Sequence, residues 1–170
     1  MARCQGPVED KIKIRAKNNA YLLLRTRPRS EEEIRQRLKL KGYDYTVIDG
    51  VVDDLKRTGN IDDAKFARFW IDSRMHMNPM GDVILRNELK SKGVNDSVIE
   101  ATLQDKAKLY DEYEVAFSMA EERYKRFQKL DKRKALKRVY DFLLRRGFKY
   151  DTIRKITEGL AGKGNIPDEN

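Results

Sequence analysis

One pattern occurs three times in this chain. Leu38-Lys39-Leu40-Lys41-Gly42-Tyr43 is followed by Ile48; Leu89-Lys90-Ser91-Lys92-Gly93-Val94 by Ile99; and Leu143-Leu144-Arg145-Arg146-Gly147-Phe148 by Ile153. The glycines are 51 and then 54 residues apart, a spacing that makes the chain three copies of one unit. Each copy reads as a helix end. Glycine just past a helix takes the left-handed conformation that closes the last turn without steric cost. With glycine there, Leu38/Tyr43, Leu89/Val94 and Leu143/Phe148 occupy the two positions whose apolar side chains meet in a Schellman cap. Lys41, Lys92 and Arg146 precede the glycines and place a cation at the negative end of the helix dipole.

A short array of small units, each packing on its neighbours, suits a chain this polar: 38% of its residues are charged and 39% apolar. The net charge of +9 points to a polyanion or an acidic surface as partner. That charge is unevenly placed. Residues 11–41 carry 11 basic and 3 acidic side chains, residues 123–155 carry 14 and 3, and residues 42–122 carry 10 and 17. Both ends are basic and the centre is acidic.

Helical periodicity, caps and breakers place nine helices. The first fits Lys11 to about Arg27, with Ala16, Ala20, Tyr21, Leu23 and Leu24 inward, and Pro28 stops it. Ser30-Glu31-Glu32-Glu33 is a capping box that opens the second, which buries Ile34 and Leu38 and ends at Lys41. Asp44 caps a third, on Ile48, Val51, Val52 and Leu55, that ends near Thr58-Gly59. Asp62 caps the fourth, with Ile61 and Phe66 as a hydrophobic staple and Phe66, Phe69, Trp70 and Ser73 as its inner face. A break at Asn78-Pro79-Met80-Gly81 precedes the fifth, on Leu85 and Leu89. Asn95 caps the sixth, where Thr102 and Lys106 stand at the positions of Val51 and Leu55, so the middle core is the thinnest. Tyr110, Tyr113, Phe117, Ala120, Tyr124 and Phe127 place an aromatic stripe on one long seventh helix, about Leu109 to Leu130. At that spacing the stripe reads as core, with base stacking the alternative. Asp131 caps the eighth, on Leu136, Val139, Tyr140 and Leu143, and the ninth runs from about Asp151 to Leu160. The expected division is a flexible 1–10, repeats over 11–59, 60–106 and 107–161, and a flexible tail over 162–170.

Catalytic chemistry finds no constellation. His76 is the only histidine, Cys4 the only cysteine, and the pairs Asp53-Asp54 and Asp62-Asp63 point about 100° apart on a helix. There is no phosphate-binding glycine loop. The chain therefore reads as a non-enzyme with no metal and no cofactor. No apolar run approaches a membrane span and no signal-peptide core is present, which gives a cytoplasmic expectation.

Candidate contacts are the basic residues at helix ends and on outward faces. They are Arg25, Arg27 and Arg29 around Pro28; Arg74, Arg86, Lys90 and Lys92 in the middle unit; and Lys134, Lys137, Arg138, Arg145, Arg146, Lys149 and Arg154 in the third. Arginine there can take phosphate or acidic side chains bidentately. The competing reading of any one of them is a solvated face that complements a helix dipole.

The stretches Arg29-Ser30-Glu31 through Leu38-x-x-Lys41-Gly42-Tyr43, Gly59-x-Ile61-Asp62-Asp63-x-x-Phe66-Ala67, and Arg145-Arg146-Gly147-Phe148-x-Tyr150-x-x-Ile153 resemble the RecX family, bacterial modulators of the RecA recombinase. The resemblance spans roughly residues 15–160. It implies an all-α fold of three tandem three-helix repeats in an elongated, curved array. It also implies binding in the groove of the RecA–single-stranded DNA filament, restraint of its ATP hydrolysis and strand exchange, and so a place in recombination, DNA repair and the SOS response. The implied partners are the RecA filament and the single-stranded DNA within it, with weak binding to free DNA; the lack of a long apolar run adds the expectation of no membrane, and the size of the capped array that of a monomer. The alternative is a stand-alone nucleic-acid-binding protein using helix-turn-helix-like triplets; a scaffold that binds no nucleic acid is a third.

Overall fold

The computed structural model describes residues 7–127 and 129–163. Among them are nine helices and no strand: α1 (Pro7–Leu24), α2 (Glu31–Leu40), α3 (Tyr45–Arg57), α4 (Asp63–Met77), α5 (Asp82–Ser91), α6 (Asp96–Leu109), α7 (Glu112–Lys125), α8 (Lys132–Arg145) and α9 (Tyr150–Lys163). The expected flexible ends, 1–10 and 162–170, lie partly outside the described residues. Within them α1 starts at Pro7 rather than Lys11, because proline suits a first turn that needs no amide donor. At the other end α9 continues past Leu160 to Lys163.

The three repeated glycines do close helices. Gly42, Gly93 and Gly147 have φ of 80°, 75° and 77°. Behind them Tyr43, Val94 and Phe148 donate their amides to the carbonyls of Leu38, Leu89 and Leu143 at 3.3, 3.1 and 3.3 Å. Gly59, at φ 70°, closes α3 in the same way through the Asn60 amide and the Leu55 carbonyl.

The chain divides into two compact units. The first contains the described residues up to Trp70 together with Glu88–Thr102; the second contains Ile71–Asn87 and the described residues from Leu103 onward. The core of the first is Ala16 and Ala20 of α1, Ile34 and Leu38 of α2, and Ile48, Val51, Val52 and Leu55 of α3, closed by Ile61. Burying each large side chain of this kind stabilises by about 1.5–3 kcal/mol. Tyr21 is not part of it: 39% exposed, it lies outside the line that Ala16 and Ala20 set. Phe69 is likewise exposed and Trp70 half-buried, so the inward side of α4 in this unit is Phe66 and Ala67.

Charge also ties α3 to α1. Asp54 is met by Arg57 at 2.9 Å and by Lys13 and Lys17 of α1 at 3.2 and 3.5 Å. Hydrogen bonds from Arg57 and Lys13 hold its carboxyl down at about 2, below the ordinary 3.8. A carboxyl depressed by folding stabilises above its unfolded value and loses that contribution as pH falls through its folded one, here between about pH 4 and pH 2. Asp63, raised by burial, works in the opposite direction. Asp54→Asn is therefore expected to lose less stability than the native chain between about pH 5 and pH 2.5 in urea unfolding. Parallel losses in the two proteins would mean that the Asp54 ion pairs contribute nothing.

In the second unit α7, α8 and α9 pack around Ala116, Ala120, Val139, Leu143, Phe148, Ile153, Ile156 and Leu160. The expected long seventh helix is shorter, covering Glu112–Lys125. Asp111 accepts from the amides of Tyr113 and Glu114 and starts α7 afresh, so Tyr110 falls between helices and bonds to Asp72 at 3.0 Å. Tyr113 is 38% exposed and stacks on Phe117. Ala116 and Ala120 make the inner line instead, with Phe117, Tyr124 and Phe127 at its edge. On α8 the fully inward line is Ala135, Val139 and Leu143, at strict four-residue spacing, while Leu136 and Tyr140 are half-buried. Buried Lys106 in α6 makes a 2.7 Å ion pair with Asp82 at the start of α5.

Candidate functional site

Each unit contains one joint between successive repeats, and the two joints are the same construction. In the first unit Ser30 caps α2 by accepting from the Glu33 amide at 3.1 Å, and its hydroxyl donates to the Lys92 carbonyl at 2.7 Å. Glu32 lies so near Gly93 that a Cβ on that glycine would sit 2.4 Å from the Glu32 Cβ. In the second unit Gly81 stands where Ser30 does, 51 residues on, and its amide donates to the Arg146 carbonyl at 2.8 Å. A Cβ on Gly81 would lie 2.0 Å from the Gly147 carbonyl oxygen, and one on Gly147 would lie 2.8 Å from the Ile84 nitrogen. The helix-closing glycine of one repeat is thus the seat of the helix start in the repeat before it.

This construction consumes several of the expected contact residues. Arg27 forks onto Glu33 at 2.8 and 3.0 Å, and Lys92 reaches the same carboxylate at 3.1 Å. Burial opposes ionisation of Glu33, but the Arg27 and Lys92 hydrogen bonds outweigh it and hold the carboxyl below its usual range. The Lys92 ammonium also sits 4.2 Å from the centre of the Trp70 ring, whose indole donates to Glu88 at 2.7 Å. Glu33 therefore does not reach back as a capping box requires, because it is spent on these two cations. In the second unit Arg146 bonds to the Asn78 side chain and to the Pro79 carbonyl, and lies over Phe142 at 5.1 Å. Lys149 pairs with Glu112 at 3.0 Å and lies 3.7 Å from Asp82; the Glu112 hydrogen bond raises its pKa.

The other candidates separate by surroundings. Lys90 pairs with Asp96 at 3.0 Å and Arg154 with Glu158 at 2.9 Å, both in exposed settings that hold a side chain only weakly. Arg74 and Arg86 are half-buried and engaged with neighbours. Arg29 is half-buried, its pKa lowered by that burial, and its Nε lacks a hydrogen-bond partner. Arg138 is exposed and lies over Phe127 at 5.3 Å. Arg25, Lys134, Lys137 and Arg145 are exposed, with no ion pair among the described residues. The last three, with Arg138, point outward along α8.

The geometry adds two residues that sequence reasoning passed over. Arg123 lies over both Phe142 and Phe127, at 4.9 and 5.7 Å, and Arg126 beside it is held by Glu122. The available signal was the four-residue spacing of Arg123 to Phe127 and of Phe142 to Arg146, which stacks guanidinium on ring along one helix face.

Family models place these helices. The first, second and third three-helix domains of RecX match residues 16–55, 62–103 and 102–157. The chain belongs to the RecX family. A "Regulatory protein RecX" of Amycolatopsis mediterranei is 33% identical over 173 residues, covering 99% of this chain and 98% of that one. Another of Clostridioides difficile is 29% identical over 153 residues, covering 90% and 71%. A crystal structure of RecX from Lactobacillus salivarius has a TM-score of 0.77 at 23% identity, covering 88% of this chain and 96% of its own. The three tandem three-helix units are thus a RecX fold, and the RecX-family relatives carry the name of regulatory proteins. Among the described residues no helix is long and apolar enough to cross a membrane.

Proposed function

We propose that this chain regulates a RecA recombinase by binding its filament on single-stranded DNA, in the groove, and restraining ATP hydrolysis and strand exchange, and thereby recombination and DNA repair. The observation that carries this reading is the set of exposed cations that pair with no carboxylate among the described residues: Arg25 in the first unit and Lys134, Lys137 and Arg145 on α8 in the second. The family's regulatory naming supports the same reading. A filament offers the same acidic and phosphate groups again in each subunit, and a tandem-repeat monomer can engage several of them through individually modest contacts. The acidic residues of the middle repeat would meet basic surfaces of the filament. Arg27, Lys92, Arg146 and Lys149 then act indirectly, by holding the repeats that present the outward cations.

The test is single-stranded-DNA-dependent ATP hydrolysis by RecA as the chain is added at well below one copy per recombinase. Inhibition at that ratio is expected, since each bound copy restrains several subunits. Unchanged hydrolysis at saturating amounts would remove the filament reading, and a stand-alone nucleic-acid-binding protein using helix-turn-helix-like triplets, with strong preference for one DNA sequence, would then take its place.

A further inference from the structure

We infer that the recess between α7 and α8, lined by Met119, Glu122, Arg123, Arg126, Phe142 and Arg146, binds a backbone phosphodiester of single-stranded nucleic acid. This deepens the reading above, because it names the group through which the chain meets the nucleic acid.

The argument begins with how the arginines are held. Arg123 is stacked over Phe142 at 4.9 Å and over Phe127 at 5.7 Å, Arg146 over Phe142 at 5.1 Å, and Arg138 over Phe127 at 5.3 Å. Two rings thus order three guanidinium groups through their faces. A ring orders a cation without neutralising it and leaves its N–H edges to other acceptors, which Arg146 already finds in Asn78 and the Pro79 carbonyl, so Arg123 is the donor of the recess. The Nε of Arg123 is buried and has no hydrogen-bond partner among the described residues, which is costly for a charged donor and would be relieved by an incoming oxygen. The carboxylate lining the recess, Glu122, is bonded to Arg126.

An oxyanion with several oxygens in fork geometry fits such a site, and a phosphodiester supplies it. Two observations favour a nucleic-acid backbone over an acidic peptide. The recess already contains a carboxylate, and it leaves the Arg123 Nε unmet. Lys134, Lys137, Arg138 and Arg145 continue outward along the same helix over about 16 Å, a row matched to regularly repeated charge. A single strand is favoured over a duplex because the donor is recessed. A flexible backbone can turn one phosphate inward, whereas a duplex is stiff over about 150 base pairs.

The experiment uses the full chain and a labelled dT oligomer without any recombinase, followed by fluorescence anisotropy across a salt series. Arg123→Met is expected to weaken binding about five- to tenfold and to flatten the log K against log salt slope by about 0.7, the share of one single-strand phosphate. Arg123→Lys should recover little, because an ammonium provides neither the fork nor the Nε. In the unmodified chain the Arg123 Nε–H resonance should shift on adding the oligomer, a readout that does not depend on a variant folding. An unmoved Nε–H signal, or native affinity and slope in Arg123→Met, would overturn the proposal. So would equal Arg123 dependence with duplex DNA, or with polyglutamate in place of DNA. Because no recombinase is present, failure here leaves the filament reading standing. Conversely, a chain that binds the oligomer through Arg123 but does not affect RecA would overturn only the filament reading.

Discussion

Gly81→Ala is expected to cost about 3 kcal/mol of unfolding free energy, far more than its position between two helices suggests. An added Cβ would lie 2.0 Å from the Gly147 carbonyl oxygen, 2.3 Å from the carbonyl carbon and 2.5 Å from the Phe148 nitrogen. All three are backbone atoms of a capped turn, so no side-chain rotation relieves the overlap. Separation of the two segments would also break the 2.8 Å bond from the Gly81 amide to the Arg146 carbonyl. The informative control is Gly42→Ala. Gly42 and Gly147 share nearly the same left-handed backbone, at φ 80° and 77°, but an added Cβ at Gly42 meets nothing within 4 Å. Gly42→Ala should therefore show the cost of the backbone conformation alone, about 1–2 kcal/mol. Gly147→Ala should exceed it, since its Cβ would approach Ile84 at 2.6 Å. Urea unfolding followed by far-ultraviolet circular dichroism measures all three. Equal losses for Gly42→Ala and Gly81→Ala would mean that the joint yields to the added methyl group at no cost.

Arg145 and Arg146 are adjacent in sequence and expected to fail in opposite ways. Arg145 is exposed without an ion-pair partner among the described residues, so Arg145→Glu should leave stability within about 0.5 kcal/mol and weaken filament inhibition by about five- to tenfold. Arg146→Glu should instead cost about 2–3 kcal/mol. It removes donors from the Asn78 side chain and the Pro79 carbonyl, and it sets a carboxylate beside that carbonyl in a half-buried place. Arg146 also lines the phosphate recess, so unfolding rather than inhibition is the measurement that separates the pair. A stable Arg146→Glu, or an Arg145→Glu that inhibits as the native chain does, would reverse these assignments.

What could be read in the sequence was local. The Schellman caps, the caps by Asp62, Asn95 and Asp131, and the stop at Gly59 depend on residues within a few positions of one another, and the Schellman spacing is preserved in three copies. Asp44 stands at the start of α3 with extended backbone but makes no side-chain cap bond, so position alone overstated it. The seventh helix was misread because its aromatic spacing runs straight through Asp111. Periodicity describes which residues share a face, not where the hydrogen bonding restarts.

The larger misreading concerns Lys92 and Arg146. From sequence each is a cation at a helix end, well explained by the dipole and free for a partner. Their actual partners, Glu33 and Asn78, are 59 and 68 residues away, and nothing in a one-dimensional pattern joins them. For the same reason Glu33 reads in the sequence as half of a capping box. The cations left outward, Arg25, Lys134, Lys137 and Arg145, are legible as candidates but cannot be told from the structural ones until the joints are known.

The joint constrains how this chain can be recombined with its relatives. A crossover placed in the loop after Gly59, between the first and second repeats, would take Ser30, Glu32 and Glu33 from one parent and Lys92 and Gly93 from the other. A chimera of that kind inherits half of a clasp from each side, and would need matched parents at both halves to close it. Crossovers that keep Ser30–Glu33 with Lys92–Gly93, and Asn78–Ile84 with Arg146–Gly147, exchange whole clasps instead. The exchangeable module of this chain is therefore the clasp between two repeats, not the repeat.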